Sequence, residues 1–129
     1  MSVEKHFVLS EMNRVSSVIK ELNQIKTRNF YEDRDYSIIL VPKIDEVINT
    51  LDLIKQKFVS IANYKLGLEK LHLEDISGIY HLITKITDLS NIVVNYENTE
   101  KSHHILSLFE LISTCNSLNL QLNRYSPGK

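Results

Sequence analysis

The chain has 129 residues, of which 43% are hydrophobic and 24% are charged. This length suits one domain that buries a core without disulfide bonds or metal ions, and it excludes the tethered multidomain enzymes. With 15 basic and 16 acidic residues the formal net charge is −1, which gives no long-range field to hold a nucleic acid.

The cysteine content and hydropathy favour a cytoplasmic, intracellular protein that does not contact a membrane. Cys115 is the only cysteine, so it has no partner for an internal disulfide bond. No N-terminal segment has the pattern of a signal peptide, and no window approaches the roughly 18 apolar residues of a membrane-spanning helix. Alanine occurs once, at Ala62, and this bias is typical of AT-rich genes such as those of low-GC bacteria and phages.

Apolar residues recur at steps of three and four over most of the chain, which predicts helices. We predict four of them, at 3–26, 42–66, 74–95 and 101–124. The second helix should begin at Pro42, because proline is tolerated in a first turn and is costly further in. The segment 29–41 is then predicted to be a loop or a short extended piece, and 126–129 a disordered tail.

Each predicted helix has one apolar seam. The seam is Val8, Met12, Val15, Ile19 and Leu22 in the first helix, and Ile44, Val47, Leu51, Ile54, Phe58 and Ile61 in the second. In the third helix it is Ile76, Ile79, Ile83 and Ile86, continued by Leu89, Val93 and Tyr96. In the fourth it is Leu108, Leu111, Cys115, Leu118, Leu122 and Tyr125, flanked by Ile105, Phe109 and Ile112. Four helices of similar length with short connections predict an up-down four-helix bundle. The alternative is a pair of helical hairpins that completes a bundle by dimerisation, since such seams also serve intermolecular coiled coils.

The last two helices carry few charges. Between Ile76 and Tyr96 only Lys85 and Asp88 are charged, and between Ser102 and Asn123 only Glu110 is. The outer face is predicted to contain Ser77, Ser90, Asn91, Ser107, Ser113, Asn116, Ser117 and Asn119. Uncharged polar groups are easier to desolvate than lysine or glutamate, so this face is a candidate surface for protein binding or self-association. An ordinary uncharged monomer surface is the alternative.

The segment that precedes Pro42 is a second candidate for partner binding. It contains Phe30, Tyr31, Arg34 and Tyr36, and aromatic residues near an arginine are typical of binding hot spots. The alternative is that these rings cap the open end of the bundle.

Two pairs have the Glu-x-x-His spacing of metal sites in bundles, Glu69 with His72 and Glu100 with His103. They lie at opposite ends of the third helix, roughly 30 Å apart, so we predict no metal site and no cofactor. The neighbours His103 and His104 point about 100 degrees apart and are predicted to be surface residues.

His81 lies within the third helix, four residues before Lys85. An exposed histidine near a cation on a bundle helix resembles the histidine phosphotransfer domains, and this resemblance implies that His81 accepts a phosphoryl group. Those domains have a Lys-Gly pair three and four residues after the histidine, where this chain has Thr84 and Lys85. Asp88 would also repel the phosphoryl group, so phosphotransfer is the alternative function.

Catalysis has little support from the sequence. Cys115 lies in an apolar seam, where burial makes it unreactive, and no phosphate-binding loop or nucleophile motif is present. We therefore predict a non-catalytic protein-interaction module, such as an adaptor, chaperone, inhibitor or regulatory subunit. Its partner would be another protein or a second copy, bound through the third and fourth helices and the aromatic segment.

Overall fold

The structure, a computed structural model, describes residues 2–27, 34–63, 71–95 and 101–125. Within these ranges the chain forms four helices and no strand: α1 (Ser2–Thr27), α2 (Arg34–Asn63), α3 (Leu73–Val94) and α4 (Lys101–Leu122). The all-α class is confirmed, and α1, α3 and α4 begin and end within two residues of the predicted bounds. The predicted tail at 126–129 lies outside the described residues.

The start of α2 differs from the prediction. The helix begins eight residues before Pro42, so the prediction of a loop at 29–41 is wrong from residue 34 onwards. Pro42 cannot donate to the carbonyl of Ile38, but both residues lie on the exposed face, where water can bond that carbonyl. Leu40 and Ile44, two residues to either side, are fully buried, and their burial favours a continuous helix through the proline.

Each helix packs closely against two others: α1 against α2 and α3, and α4 against α2 and α3. The helices α3 and α4 are antiparallel. Lys85 of α3 pairs with Glu110 of α4 at 3.2 Å, whereas Val93, later in α3, contacts His104, earlier in α4. In contrast α2 and α4 run parallel, because Lys43 lies over Phe109 while Lys57, further along α2, bonds Asn119, further along α4.

The direction of α1 follows from its length. Six residues separate α1 from α2 and span at most about 25 Å, whereas the 26 residues of α1 extend for about 39 Å. Two helices that pack side by side with so short a connection must be antiparallel. The helices therefore alternate in direction, as an up-down bundle requires, but the consecutive helices α2 and α3 occupy diagonally opposite corners.

The core lies along the common axis of the four helices. Its largest fully buried side chains are Phe58, Leu22, Ile25, Leu40, Ile44, Leu51, Ile54, Ile61, Ile79, Ile83, Ile86 and Leu108. Most of them belong to the seams that the hydrophobic period predicted. Because four helices of one chain bury these seams against each other, the core does not need a second copy to be complete.

Three polar residues lie in positions that the sequence did not predict. In α1, Glu11 is buried, whereas its apolar neighbour Met12 is only half-buried. Ser90 and Ser107 are also buried, which corrects their assignment to the outer face. The antiparallel register places these two serines at the same level of α3 and α4, and small side chains there let two helices pack closely.

His104 is buried as well, so its assignment to the surface was wrong. Its Nε2 lies 2.9 Å from the carbonyl oxygen of Val93, and a carbonyl only accepts, so this nitrogen carries the hydrogen. Burial lowers the pKa of His104; the bond to Val93 opposes this effect, and the nearby His103 adds to it. The hydrogen bond ties the beginning of α4 to the end of α3.

The depressed pKa of His104 predicts sensitivity to acid. A base whose folded pKa lies below its unfolded value of 6.5 stabilises the fold above that pH, and this stability is lost as the pH falls through the folded pKa. In His104→Gln we expect the unfolding free energy to fall less than in the wild type between about pH 7 and pH 5. Urea unfolding of the wild type and the variant at both pH values measures this difference.

Candidate protein-binding face

The helix α4 has a second seam on the side that faces away from the core. Six exposed residues recur there at steps of four, three, four, three and four: Ser102, Leu106, Phe109, Ser113, Asn116 and Leu120. We call this row the outer stripe. Any bundle helix exposes a row with this spacing on its outer side, and this row differs because three of its six residues are large and apolar.

Three large apolar side chains of the outer stripe are exposed to solvent. Leu106 is 65% exposed, Phe109 51% and Leu120 68%. A single exposed leucine is common on protein surfaces, but three apolar residues on one helical face form a patch that a partner can bury. The smaller Ser113 and Asn116 lie between them and leave room for another helix to approach.

The outer stripe contains no charged residue. Glu110, beside it, is the only formally charged residue of 102–123, and Lys85 of α3 lies 3.2 Å from its carboxylate. An ion pair exposed in this way contributes at most about 1 kcal/mol to stability. It does, however, neutralise Glu110, so covering this part of the face would not bury an unpaired carboxylate.

Two lysines of α2 border the outer stripe. The ammonium of Lys43 lies 4.9 Å from the ring centroid of Phe109, within the range of a cation–π interaction. Lys57 donates to the side-chain oxygens of Asn119 and Asn123, and burial lowers the pKa of this lysine. These contacts fix the position of α4 against α2 and hold Phe109 beside a cation.

The residues predicted for the binding surface of α4 differ in their exposure. Ser113, Asn116 and Ser117 are exposed, whereas Asn119 is half-buried and accepts a hydrogen bond from Lys57. Arg34 and Tyr36 belong to the first turn of α2, so they are not in a loop as predicted. Phe30 and Tyr31 lie outside the described residues.

Leu106, Phe109 and Leu120 were not predicted to share one face. Phe109 was predicted only to flank the core seam of the fourth helix. The signal in the sequence was only partial, because Ser113 and Asn116 interrupt the apolar row that steps by three and four from Leu106 to Leu120, whereas the row from Leu108 is apolar throughout. Two interleaved seams on one helix indicate that both of its sides are suited to packing.

The remaining candidates occupy separate parts of the bundle. His81 is exposed on α3, and burial raises the pKa of the Cys115 thiol to about 12. His72 and His103 are exposed, and their possible partners Glu69 and Glu100 lie outside the described residues. Among the residues that the structure describes, no three His, Cys, Asp or Glu side chains are grouped as metal ligands would be.

A polar network joins α1 to α3 on another side of the bundle. The guanidinium of Arg14 bonds the buried Glu11 carboxylate at 3.0 Å and the Thr84 hydroxyl at 3.5 Å, and it lies 5.1 Å from the Tyr80 ring centroid. A groove beside it is lined by Ser10, Asn13, Arg14, Ser17, Val18, Glu21, Thr87 and Asn91. Because Arg14 is engaged within the protein, the network serves to hold α1 on α3.

The chain matches no protein-family model, no curated protein and no solved structure. In the described part of the chain, no helix combines the length and the apolar character needed to cross a membrane. Inferences about function therefore come from the chemistry of the chain's own surface.

Proposed function

We propose that this chain is a non-catalytic protein-interaction module that binds an amphipathic helix of a partner protein along the outer stripe. It would act as an adaptor, chaperone, inhibitor or regulatory subunit in the cytoplasm. The observation that supports this proposal is the exposure of Leu106, Phe109 and Leu120 at helical spacing on a face without charge. Helix-in-groove recognition uses such anchors at three- and four-residue steps.

Binding would proceed by exchange of water for apolar contact. A partner helix that covers the three apolar side chains would release their hydration water, at about 25 cal/mol for each Å² removed from solvent. Ser113, Asn116 and Ser117 would be desolvated at lower cost than charged residues, and the Phe109 ring beside Lys43 would serve as the anchor.

Charged substitutions at Asn116 on the outer stripe and at the neighbouring Ser117 test the proposal. We expect Asn116→Lys and Ser117→Glu to abolish capture of a partner protein from extracts of cells that express the chain, because each buries an ion in the contact. Helicity should stay unchanged by circular dichroism, since both positions are exposed. The matched control is Asn13→Lys on α1, the helix diagonally opposite α4. This variant adds the same charge as Asn116→Lys and should still capture the partner.

Both charged variants capturing the same partner as the wild type would contradict the proposal. Capture of no protein by the wild type would count against it equally. Quantitative mass spectrometry of the captured proteins distinguishes these results from a nonspecific loss, because the Asn13→Lys bait reports the effect of an added lysine away from the face.

Phosphotransfer through His81 is the second candidate function, and the exposure of its imidazole on α3 favours it. The cation that would steady a phosphoryl group is Lys85, whose ammonium is paired with Glu110 at 3.2 Å. This pairing weakens the proposal relative to protein binding. Acid-labile, alkali-stable phosphate that disappears in His81→Gln would support phosphotransfer, and no transfer from any receiver would remove it.

A further inference from the structure

We infer that the outer stripe binds the outer stripe of a second copy of this chain. The two α4 helices are antiparallel and are related by a two-fold axis at Ser113. The inference rests on the proposed function, since it uses the same face. It adds that self-association covers this face when no partner is bound, so a partner must compete with the dimer.

The order of residues along the outer stripe supports an antiparallel pair. Leu106 and Leu120 each lie seven residues, or two turns, from Ser113, on opposite sides of it. An antiparallel copy therefore brings Leu106 opposite Leu120 of the second copy, twice in the dimer. Phe109 lies four residues from Ser113 and Asn116 lies three residues from it on the other side, so Phe109 lies close to Asn116 of the second copy.

The side chain at the centre has the size that this arrangement needs. A two-fold axis brings the same residue of both copies together, and the small Ser113 allows the helices to approach closely there. The apolar residues then pack on either side of the axis. A large or charged residue at this position would separate the helices or repel its own copy.

The charges of the face are compatible with a second copy. Two identical faces repel each other when they carry net charge; within residues 102–123 the only formal charge is Glu110, and Lys85 neutralises it. Lys43 and Lys57 border the outer stripe of each copy with positive charge, and Lys43 stands level with Phe109, about 6 Å along the helix from the axis. The two Lys43 ammoniums are then about 10 Å or more apart, where salt screens their repulsion.

The size of the contact predicts a reversible dimer. One helix pair buries less than the roughly 1,200 Å² at which stable interfaces begin, so the contact belongs to the weak and transient class. The core is complete within one chain, and the monomer therefore keeps its fold when the dimer dissociates. Such a dimer would protect three apolar side chains from nonspecific contacts and yield to a partner that buries more of them.

The first experiment is the mass in solution over about a hundredfold range of concentration, from about 5 to about 500 μM, by light scattering. We expect the wild type to rise from 15.0 kDa towards twice that mass, and Leu106→Glu and Leu120→Glu to stay at 15.0 kDa. Leu9→Glu, at an exposed leucine of α1, should dimerise as the wild type does. A monomeric wild type, or full dimerisation of Leu106→Glu, would overturn the inference.

The second experiment tests the antiparallel arrangement by disulfide formation. Under a mild oxidant, Ser113→Cys should form a covalent dimer, because position 113 meets its own copy at the axis. Leu106→Cys alone should not, since two such residues lie about 21 Å apart and a disulfide needs Cα atoms within about 7 Å. A mixture of Leu106→Cys with Leu120→Cys should crosslink. Efficient crosslinking of Leu106→Cys alone would show a parallel pair and overturn the arrangement.

The two proposals fail separately. If the wild type is monomeric while Asn116→Lys loses a captured partner, the self-association is wrong and the binding function stands. If the wild type dimerises through the outer stripe but partner capture is unaffected by Asn116→Lys, the dimer stands and the function is wrong. Buried Cys115, whose pKa of about 12 keeps it a thiol, does not interfere with the crosslinking.

Discussion

Replacement of Phe58 by alanine is expected to lower the unfolding free energy by about 3 to 5 kcal/mol. Phe58 is 1% exposed and is the largest of the fully buried side chains. It lies on α2, which packs against both α1 and α4, so neighbouring helices cannot easily close the cavity that the ring leaves. A small domain is stable by about 5 to 15 kcal/mol, and the loss would be a large fraction of the total.

The next residue of the helix is the control for this prediction. Val59 is 40% exposed, and Val59→Ala should change the stability by less than about 1 kcal/mol. Urea denaturation followed by circular dichroism measures both variants against the wild type. Similar losses in the two would mean that Phe58 does not lie in the packed core.

A second large effect is expected from Arg14→Met. This change leaves the buried Glu11 carboxylate without its counter-ion, which costs about 3 kcal/mol at pH 7 when one partner of a buried pair is removed. The contacts of Arg14 with Thr84 and Tyr80 are lost as well. The control is Lys85→Met, which breaks the exposed pair with Glu110 and should cost less than about 1 kcal/mol.

The cost of Arg14→Met should depend on pH in a defined direction. Burial raises the pKa of Glu11, and the charge and hydrogen bond of Arg14 oppose that rise, so removing Arg14 raises the pKa further. A carboxyl with a raised folded pKa gives its full contribution to stability below the unfolded value of 4.5 and loses it as the pH rises through the folded pKa. The variant should therefore be less impaired at pH 4 than at pH 7.

A double variant provides the rescue. Glu11→Met combined with Arg14→Met removes the buried carboxylate together with its partner, and we expect it to regain most of the stability at pH 7. Urea unfolding at pH 4 and pH 7 measures the stability of the single and the double variant. Equal losses in Arg14→Met and Lys85→Met at pH 7 would contradict the account of the α1–α3 network.

The hydrophobic period predicted the helices and most of the core because it records which side of each helix avoids water. Ile44, Leu51 and Phe58 are buried as their spacing indicates. The period does not record which helix lies opposite, so the diagonal placement of α2 and α3 could not be predicted. Nor did it predict that α2 continues through Pro42, since that depends on burial of the flanking Leu40 and Ile44.

Polar residues in the core were the main errors, and they share a physical cause. Glu11, Ser90 and His104 are compatible with either side of a helix until their partners are known. Glu11 and Arg14 are spaced to pair within α1, but their position in the fold depends on contacts of Arg14 with α3, and the bond from His104 to the carbonyl of Val93 joins two helices. The shortage of charge did point to α4, but the apolar members of the outer stripe emerged only from their exposure.

The placement of α2 and α3 at opposite corners divides the molecule into two hairpins. Contacts between α1 and α2, and between α3 and α4, join segments that are near in sequence, whereas the contacts between the hairpins join parallel helices that are far apart in sequence. Local contacts form with the smaller loss of chain entropy. The fold is thus suited to reassembly from two fragments cut between α2 and α3, each of which would offer the other an apolar surface of matching length.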